Sequence, residues 1–192
     1  MHWPSLRYAD WADTCQTLHM WTQIVGKIRM AHAPPMNHWW HVTLYVTPRG
    51  LSTSTMFHPR GAFEMEFDFI DHRLEIRKAN GEAAGVDLHS MPTSEFYDRV
   101  LHALAGLSLP VSIYPMPLEV PDPIRFDRDE VHDTYEAEPV ERFHAVLLDV
   151  ARVFSQFRSS FLGKVSPVHF FWGAADMAVT RFSGRPAPKH PG

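Results

Sequence analysis

Histidine and tryptophan are concentrated in the stretch NHWWH, residues 37–41. Two histidines three residues apart can bind one metal ion from a turn or a helix, whereas on a regular strand their side chains point to opposite faces. Histidine is the commonest metal ligand and titrates near neutral pH, so His38 and His41 could bind a metal or transfer protons. The stretch lacks the glutamate and cysteine partners of the known zinc patterns. Hydrogen bonding or stacking among aromatic rings is the alternative role.

A third histidine, His169, lies in the apolar segment VHFFW, residues 168–172, whose pattern is typical of a β-strand. A histidine inside such a strand is at least partly buried and needs a hydrogen-bond partner. It is therefore either a satisfied core residue or a ligand or general base. We predict His38, His41 and His169 as candidate catalytic residues and as ligands of a first-row transition metal.

Polar side chains form a row on the first predicted helix, because His19, Gln23 and Lys27 are four residues apart in succession. Such a row either faces solvent or lines a pocket, in which Lys27 would pair with an anion. Gly26, beside the row, would let another backbone approach closely.

Two arginines near the end of the sequence, Arg181 and Arg185, carry planar guanidinium groups suited to a carboxylate or phosphate. Residues 182–192 form a proline-rich tail, which either docks, bringing Arg185 over His169, or stays free in solvent. We predict a pocket for a small anionic ligand. Its expected ligand-binding residues are Trp21, Gln23, Lys27, Trp40, Trp172, Arg181 and Arg185.

Three carboxylates, Glu64, Glu66 and Asp68, alternate along one predicted strand and share a face. They could form an acid–base or metal site. A two-residue turn at positions 71–72 would instead place Glu66 opposite Arg77, as part of a charge ladder on a solvated surface.

Composition excludes several classes of function. The 192 residues, 45% hydrophobic and 21% charged, predict one globular domain over residues 1–192. A net charge of −4 argues against nucleic acid, and no apolar run of about 20 residues predicts a membrane span. The start lacks a signal peptide and Cys15 is the single cysteine, which favours the cytoplasm. No nucleotide-binding or nucleophile motif is present, so the cofactor and any catalysis stay open.

Periodicity predicts an α+β fold, a mainly antiparallel sheet of about six to eight strands packed against two long helices and one shorter helix. The predicted helices span residues 10–31, 93–106 and 139–161, and the strands 41–47, 51–57, 63–69, 74–77, 86–88, 111–114, 168–172 and 178–182. We expect the stripe of the last helix to cover the apolar face of strand 63–69. Phe154→Ala should then cost about 3–5 kcal/mol. That stripe comprises Phe143, Leu147, Val150, Phe154 and Phe157.

Several segments resemble a bacterial family known as domain of unknown function 5996. The matching stretches are residues 17–27, 37–42, 66–72, 115–123, 166–173 and 180–185. The resemblance covers nearly the whole chain and implies a single intact domain, but it implies no activity.

Two hypotheses for function follow. The first is a cytoplasmic enzyme or small-molecule-binding protein with a pocket lined by aromatic and histidine side chains. The second is a non-catalytic interaction domain, in which exposed aromatic residues mark a homo-oligomer or partner surface.

Overall fold

The computed structural model describes residues 3–189. Within this range lie an antiparallel sheet of six strands in the order β1-β2-β4-β5-β6, with β3 paired to β4, and a separate β7–β8 hairpin. This confirms the predicted α+β class. The helices are α1 (Ala12–His32), α2 (Thr93–Gly106) and α3 (Ala137–Ser159); the strands are β1 (Tyr45–Val46), β2 (Gly50–Ser52), β3 (Met56–His58), β4 (Gly61–Asp68), β5 (Arg73–Lys78), β6 (Ala83–Asp87), β7 (His169–Phe171) and β8 (Asp176–Ala178).

The alternating residues of β4 form the centre of the core, as their period of two predicts. Phe63, Met65 and Phe67 are buried, as is Phe69 just beyond the strand. Helices α1 and α2 cover this face of the sheet. Trp21 of α1 stacks on Phe96 of α2 with ring centroids 4.5 Å apart, and Phe96 in turn lies 6.3 Å from Phe67. Burying side chains of this size contributes about 1.5–3 kcal/mol each.

Helix α3 does not cover the sheet, so the expected packing of its stripe is wrong. Its buried residues are Val140, His144 and Leu147, all in its first half. His144 reaches the edge of the sheet, where its Nε2 donates to the carbonyl of Thr47 at 3.0 Å. Because α1 and α2 already occupy the apolar face, the second half of α3 lies at the surface. Phe143, Val150 and Phe154 are half-buried and Phe157 is exposed.

The turn between β4 and β5 is wider than predicted, so the expected register is wrong. Glu64 pairs with Arg77, Glu66 with Glu75 and Asp68 with Arg73. Arg77 still contacts Glu66 across the diagonal, at 2.8 Å.

The wider turn is held by Asp68, whose Oδ1 accepts hydrogen bonds from the backbone N–H groups of Ile70 and Asp71. Asp68 is buried, not solvated as the charge ladder implied. Burial alone would raise the pKa of Asp68, but the Arg49 guanidinium and the two N–H groups hold it below its usual value.

Several predicted strands are shorter or missing. Of residues 41–47, β1 retains Tyr45–Val46, and residues 51–57 divide into parts of β2 and β3. Residues 111–114 form no strand, and Val111 and Ile113 pack instead against the core. Helix α1 begins at Ala12, two residues later than predicted, with Trp11 at the N-cap position. No helix among the described residues is long and apolar enough to cross a membrane.

Candidate functional site

An aromatic cleft of about 740 Å³ opens beside the C-terminal end of α1. Its other walls are the short 3-10 helix Asn37–Trp39, the proline-rich segment before α3 and the β7–β8 hairpin. Apolar surface dominates the lining, and three ionisable side chains, His38, Glu119 and Asp176, interrupt it. The main apolar contributors are Met30, Trp39, Val42, Phe171, Trp172 and Ala178.

Trp172 forms the inner wall of the cleft and is held from two sides. Its indole N–H donates to the carbonyl of Val42 at 2.7 Å. Its ring lies against Gly26 of α1, where a Cβ atom would come within 2.4 Å of three indole atoms. The missing side chain at Gly26 therefore lets the indole of Trp172 pack against α1, whereas the sequence suggested the close approach of another backbone.

His38 lies at the rim, in a turn of unusual backbone geometry. Both His38 and Trp39 adopt left-handed φ angles of 58° and 59°, which bend the chain away from a strand. The Lys164 ammonium donates to His38 Nε2 at 2.8 Å, which leaves Nδ1 as the ring nitrogen that can donate to another group. Lys164 also lies over the rings of Phe182 and Trp40, at 4.7 and 5.9 Å from their centroids.

His41 has a separate partner. Its Nδ1 accepts a hydrogen bond from the backbone N–H of Met36 at 3.1 Å, and its ring stacks on Trp39 with centroids 5.5 Å apart.

His169 is almost fully buried, and its Nδ1 lies 3.3 Å from the hydroxyl of Thr43. Burial lowers the pKa of His169 to about 4, so the ring is neutral at physiological pH.

The expected metal cluster of His38, His41 and His169 is not assembled in this structure. Within residues 3–189 no three or more His, Cys, Asp or Glu side chains are grouped so that they could hold a metal ion. Each of the three histidines instead has its own hydrogen-bond partner.

The polar row on α1 is neither solvated nor part of the cleft wall. Gln23 and Lys27 are buried, and Lys27 Nζ donates to the carbonyl of Met116 at 2.9 Å. His19 Nε2 contacts the carbonyls of Trp172 and Gly173 at 2.9 and 3.1 Å. The row therefore anchors the proline-rich segment and the hairpin onto α1.

Lys27 and Trp21 of α1, both predicted to bind a ligand, are buried in different surroundings. Burial lowers the pKa of Lys27, and the charge of Glu119 opposes this shift. Trp21 lies in the core between Phe96 and Tyr135, away from the cleft lining.

Arg181 and Arg185 lie elsewhere than predicted. The Arg181 guanidinium stacks on Phe157 of α3, 3.5 Å from the ring centroid, and donates to Ser160 Oγ at 2.7 Å. Residues 183–189, including Arg185, are exposed, and the backbone N–H of Arg185 contacts Ser183 Oγ locally. The docked arrangement of Arg185 over His169 is not observed. Residues 190–192 of the predicted tail lie outside the described residues.

Sequence reasoning thus found His38, Trp40 and Trp172 but missed other residues of the cleft and its rim. A usable signal existed for Glu119, because the proline-rich stretch 115–123 needs a packing partner to be ordered. That partner is the hairpin, where Glu119 Cγ lies 3.2 Å from the position of a Cβ on Gly173. Other residues that were missed include Met30, Trp39, Val42, Lys164, Phe171, Asp176 and Phe182.

A second cleft, of about 700 Å³, lies between β6 and α2. Its polar lining carries both signs of charge, from Arg73, Asp87, Asp98 and Arg99. Aromatic walls are absent from its lining, so the chemistry of a small-molecule site favours the first cleft.

No curated protein and no solved structure matches this sequence. The profile of one family, described as a family of unknown function (DUF5996), matches residues 3–192. Since the match spans nearly the whole sequence, the chain belongs to this family of unknown function, DUF5996.

Proposed function

We propose that this protein binds a small molecule with an aromatic or apolar body in the aromatic cleft. The observation that carries the proposal is the lining, in which aromatic walls surround about 740 Å³ and are interrupted by three ionisable side chains. Small-ligand sites typically have about 300–1,000 Å³ of volume, apolar walls and a few polar groups. The half-buried Cys15 on α1 fits a protein that works in the reducing cytoplasm.

The polar groups define which ligand charge the cleft favours. Glu119 and Asp176 supply two carboxylates to the lining, whereas Arg181 and Arg185, which suggested an acidic ligand, are not part of it. His38 offers its Nδ1–H to the ligand, because Lys164 occupies Nε2. The ligand is therefore an aromatic molecule with a cationic or hydrogen-bond-donating end, rather than the small anion expected from the sequence.

Three indole compounds with one aromatic body and different charges test this proposal. Tryptamine is a cation, indole is neutral and indole-3-acetate is an anion, and their binding is measured by changes in the protein NMR spectrum. We expect the strongest binding from tryptamine, with the largest shifts at Trp39 and Trp172. Glu119→Gln should weaken it by about fivefold, since a partly exposed ion pair contributes up to about 1 kcal/mol. Asp98→Asn, in the second cleft, is the matched control.

Preference for indole-3-acetate would contradict the assigned charge. Shifts outside the cleft, or no binding of any of the three compounds, would contradict the site itself.

A second candidate function is self-association through α3. Apolar residues of this helix repeat at alternating spacings of three and four, at positions 140, 143, 147, 150, 154 and 157. A period of 3.5 is the signature of a helix packed along another helix. Its own chain covers the first half of this seam, but Phe157 at its far end remains 46% exposed. Val153, which lies beside the seam, is 39% exposed.

The occupant that fits the open half of the seam is a second copy of this chain. A twofold axis would bring the same apolar stripe from both copies together, as in most homodimers. Leu148, 40% exposed, extends the apolar surface beside the seam.

A further inference from the structure

Arg29 is a buried cation near the C-terminal end of α1. Only 6% of the residue is exposed, and its guanidinium carbon lies 5.5 Å from the centroid of the Tyr45 ring. Two of its nitrogens, Nε and Nη1, are buried and have no hydrogen-bond partner in the described part of the chain. Because arginine stays charged in proteins, burial cannot be relieved by loss of a proton.

Among the described residues, no carboxylate pairs with Arg29. Burial lowers the pKa of Arg29, and among residues 3–189 the charge of Tyr45 and a side-chain hydrogen bond with Tyr45 oppose this shift. Partly buried arginines of the sheet pair with carboxylates, as Arg77 does with Glu64 and Glu66, whereas Arg181 stacks on Phe157 and donates to Ser160 Oγ. A guanidinium without such a partner is costly to bury, because desolvation is not offset by attraction.

The groups around Arg29 are neutral and polar. The Tyr45 ring lies 6.5 Å from that of His169, which in turn contacts the hydroxyl of Thr43. Tyr45 is half-buried, so its ring reaches the surface beside the buried guanidinium. Met30, the next residue of α1, lines the aromatic cleft, which places Arg29 on the neighbouring flank of the helix.

We propose that Arg29 is the anchor of a second binding site, which takes a small oxyanion, either a carboxylate or a phosphate group. Such a group accepts hydrogen bonds from several guanidinium N–H groups at once and balances the buried charge. The site is distinct from the aromatic cleft and does not depend on the function proposed for it.

Thermal unfolding at constant ionic strength tests the proposal, with chloride replaced stepwise by phosphate, sulfate or acetate. The wild-type protein should show a saturable rise in Tm of about 3–6 °C at ten times the Kd of the preferred anion. Comparing the rise in Tm in phosphate and sulfate with that in acetate shows whether the site prefers a tetrahedral or a planar oxyanion. In Arg29→Met the rise should disappear, and in chloride this variant should be at least as stable as wild type, because an unpaired buried charge has been removed.

Arg60→Met, at an exposed turn position, is the control and should keep the full response. Arg29→Lys keeps the charge without the planar fork and should bind more weakly than wild type. If Arg29→Met does not fold, the line width of phosphate in ³¹P NMR, titrated with wild type and Arg29→Lys, gives the same comparison.

Two results would overturn the proposal. One is a wild-type protein without any saturable anion response, accompanied by an Arg29→Met variant that is less stable in chloride; Arg29 would then be purely structural. The other is an equal response in Arg29→Met and wild type, which would place anion binding elsewhere on the surface. Tryptamine binding in the aromatic cleft would be unchanged in either case, so failure of this site and failure of the cleft are distinguishable.

Discussion

Gly26→Ala tests whether α1 positions the inner wall of the cleft. In a helix interior this substitution normally stabilises a protein by up to about 1 kcal/mol. Here the added Cβ would lie 2.4 Å from three atoms of the Trp172 ring, a distance that requires the indole to move. Overpacking of this kind costs about 1–3 kcal/mol. Loss of the bond from Trp172 to the Val42 carbonyl adds about 0.5–1.5 kcal/mol.

The net expectation is a loss of roughly 1–3 kcal/mol in the free energy of unfolding. Urea unfolding followed by far-UV circular dichroism measures it without relying on Trp172 fluorescence. Gly106→Ala is the matched control, because it changes the last residue of α2 and its Cβ would meet no atom within 4 Å. That variant should be as stable as wild type or slightly more stable.

A second measurement separates displacement of Trp172 from a general loss of stability. The indole N–H resonance of Trp172 should shift in Gly26→Ala and stay in place in Gly106→Ala. Equal or higher stability of Gly26→Ala, with an unchanged indole resonance, would refute the close packing of Trp172 on α1.

The remaining predictions concern a buried histidine and the open face of α3. Because the folded-state pKa of His169 is about 4 against a usual 6.5, stability should be complete above pH 6.5 and fall toward pH 4. In His169→Gln this acid-dependent loss should shrink, and an unchanged pH profile would contradict the burial effect. Sedimentation of the wild-type protein should show a concentration-dependent dimer. Phe157→Ser should abolish this dimer, and the control Leu162→Ser should keep it. A wild-type protein that is monomeric at every concentration would exclude self-association through α3.

The β4–β5 region shows how far sequence patterns determine this fold. Phe63, Met65 and Phe67 could be placed in the core because alternation forces them onto one face, whatever covers it. The register across the turn could not, because it depends on Asp68 accepting two backbone N–H groups and widening the loop. These hydrogen bonds form only when the chain is folded, and the sequence alone is equally compatible with a turn of two residues.

Helix α3 shows a different reason for failure. Its apolar stripe correctly predicted a helix, because spacings of three and four follow from the helical period. Periodicity reports only that a face is apolar, and it does not identify the surface against which that face packs. With α1 and α2 already on the sheet, His144 bonds to Thr47 at the sheet edge, Val140 and Leu147 are buried, and Phe157 meets Arg181 and solvent.

The polar residues of α1 connect the fold to the cleft. From the sequence, His19, Gln23 and Lys27 indicated either a wet face or a ligand-binding face. In the structure His19 contacts the carbonyls of the hairpin, and Lys27 holds the proline-rich segment through Met116. Those two segments carry Trp172 and Glu119, which both line the cleft. The shape of the cleft therefore depends on a buried polar row that contacts no ligand, and substitutions in that row should change binding through the positions of these walls.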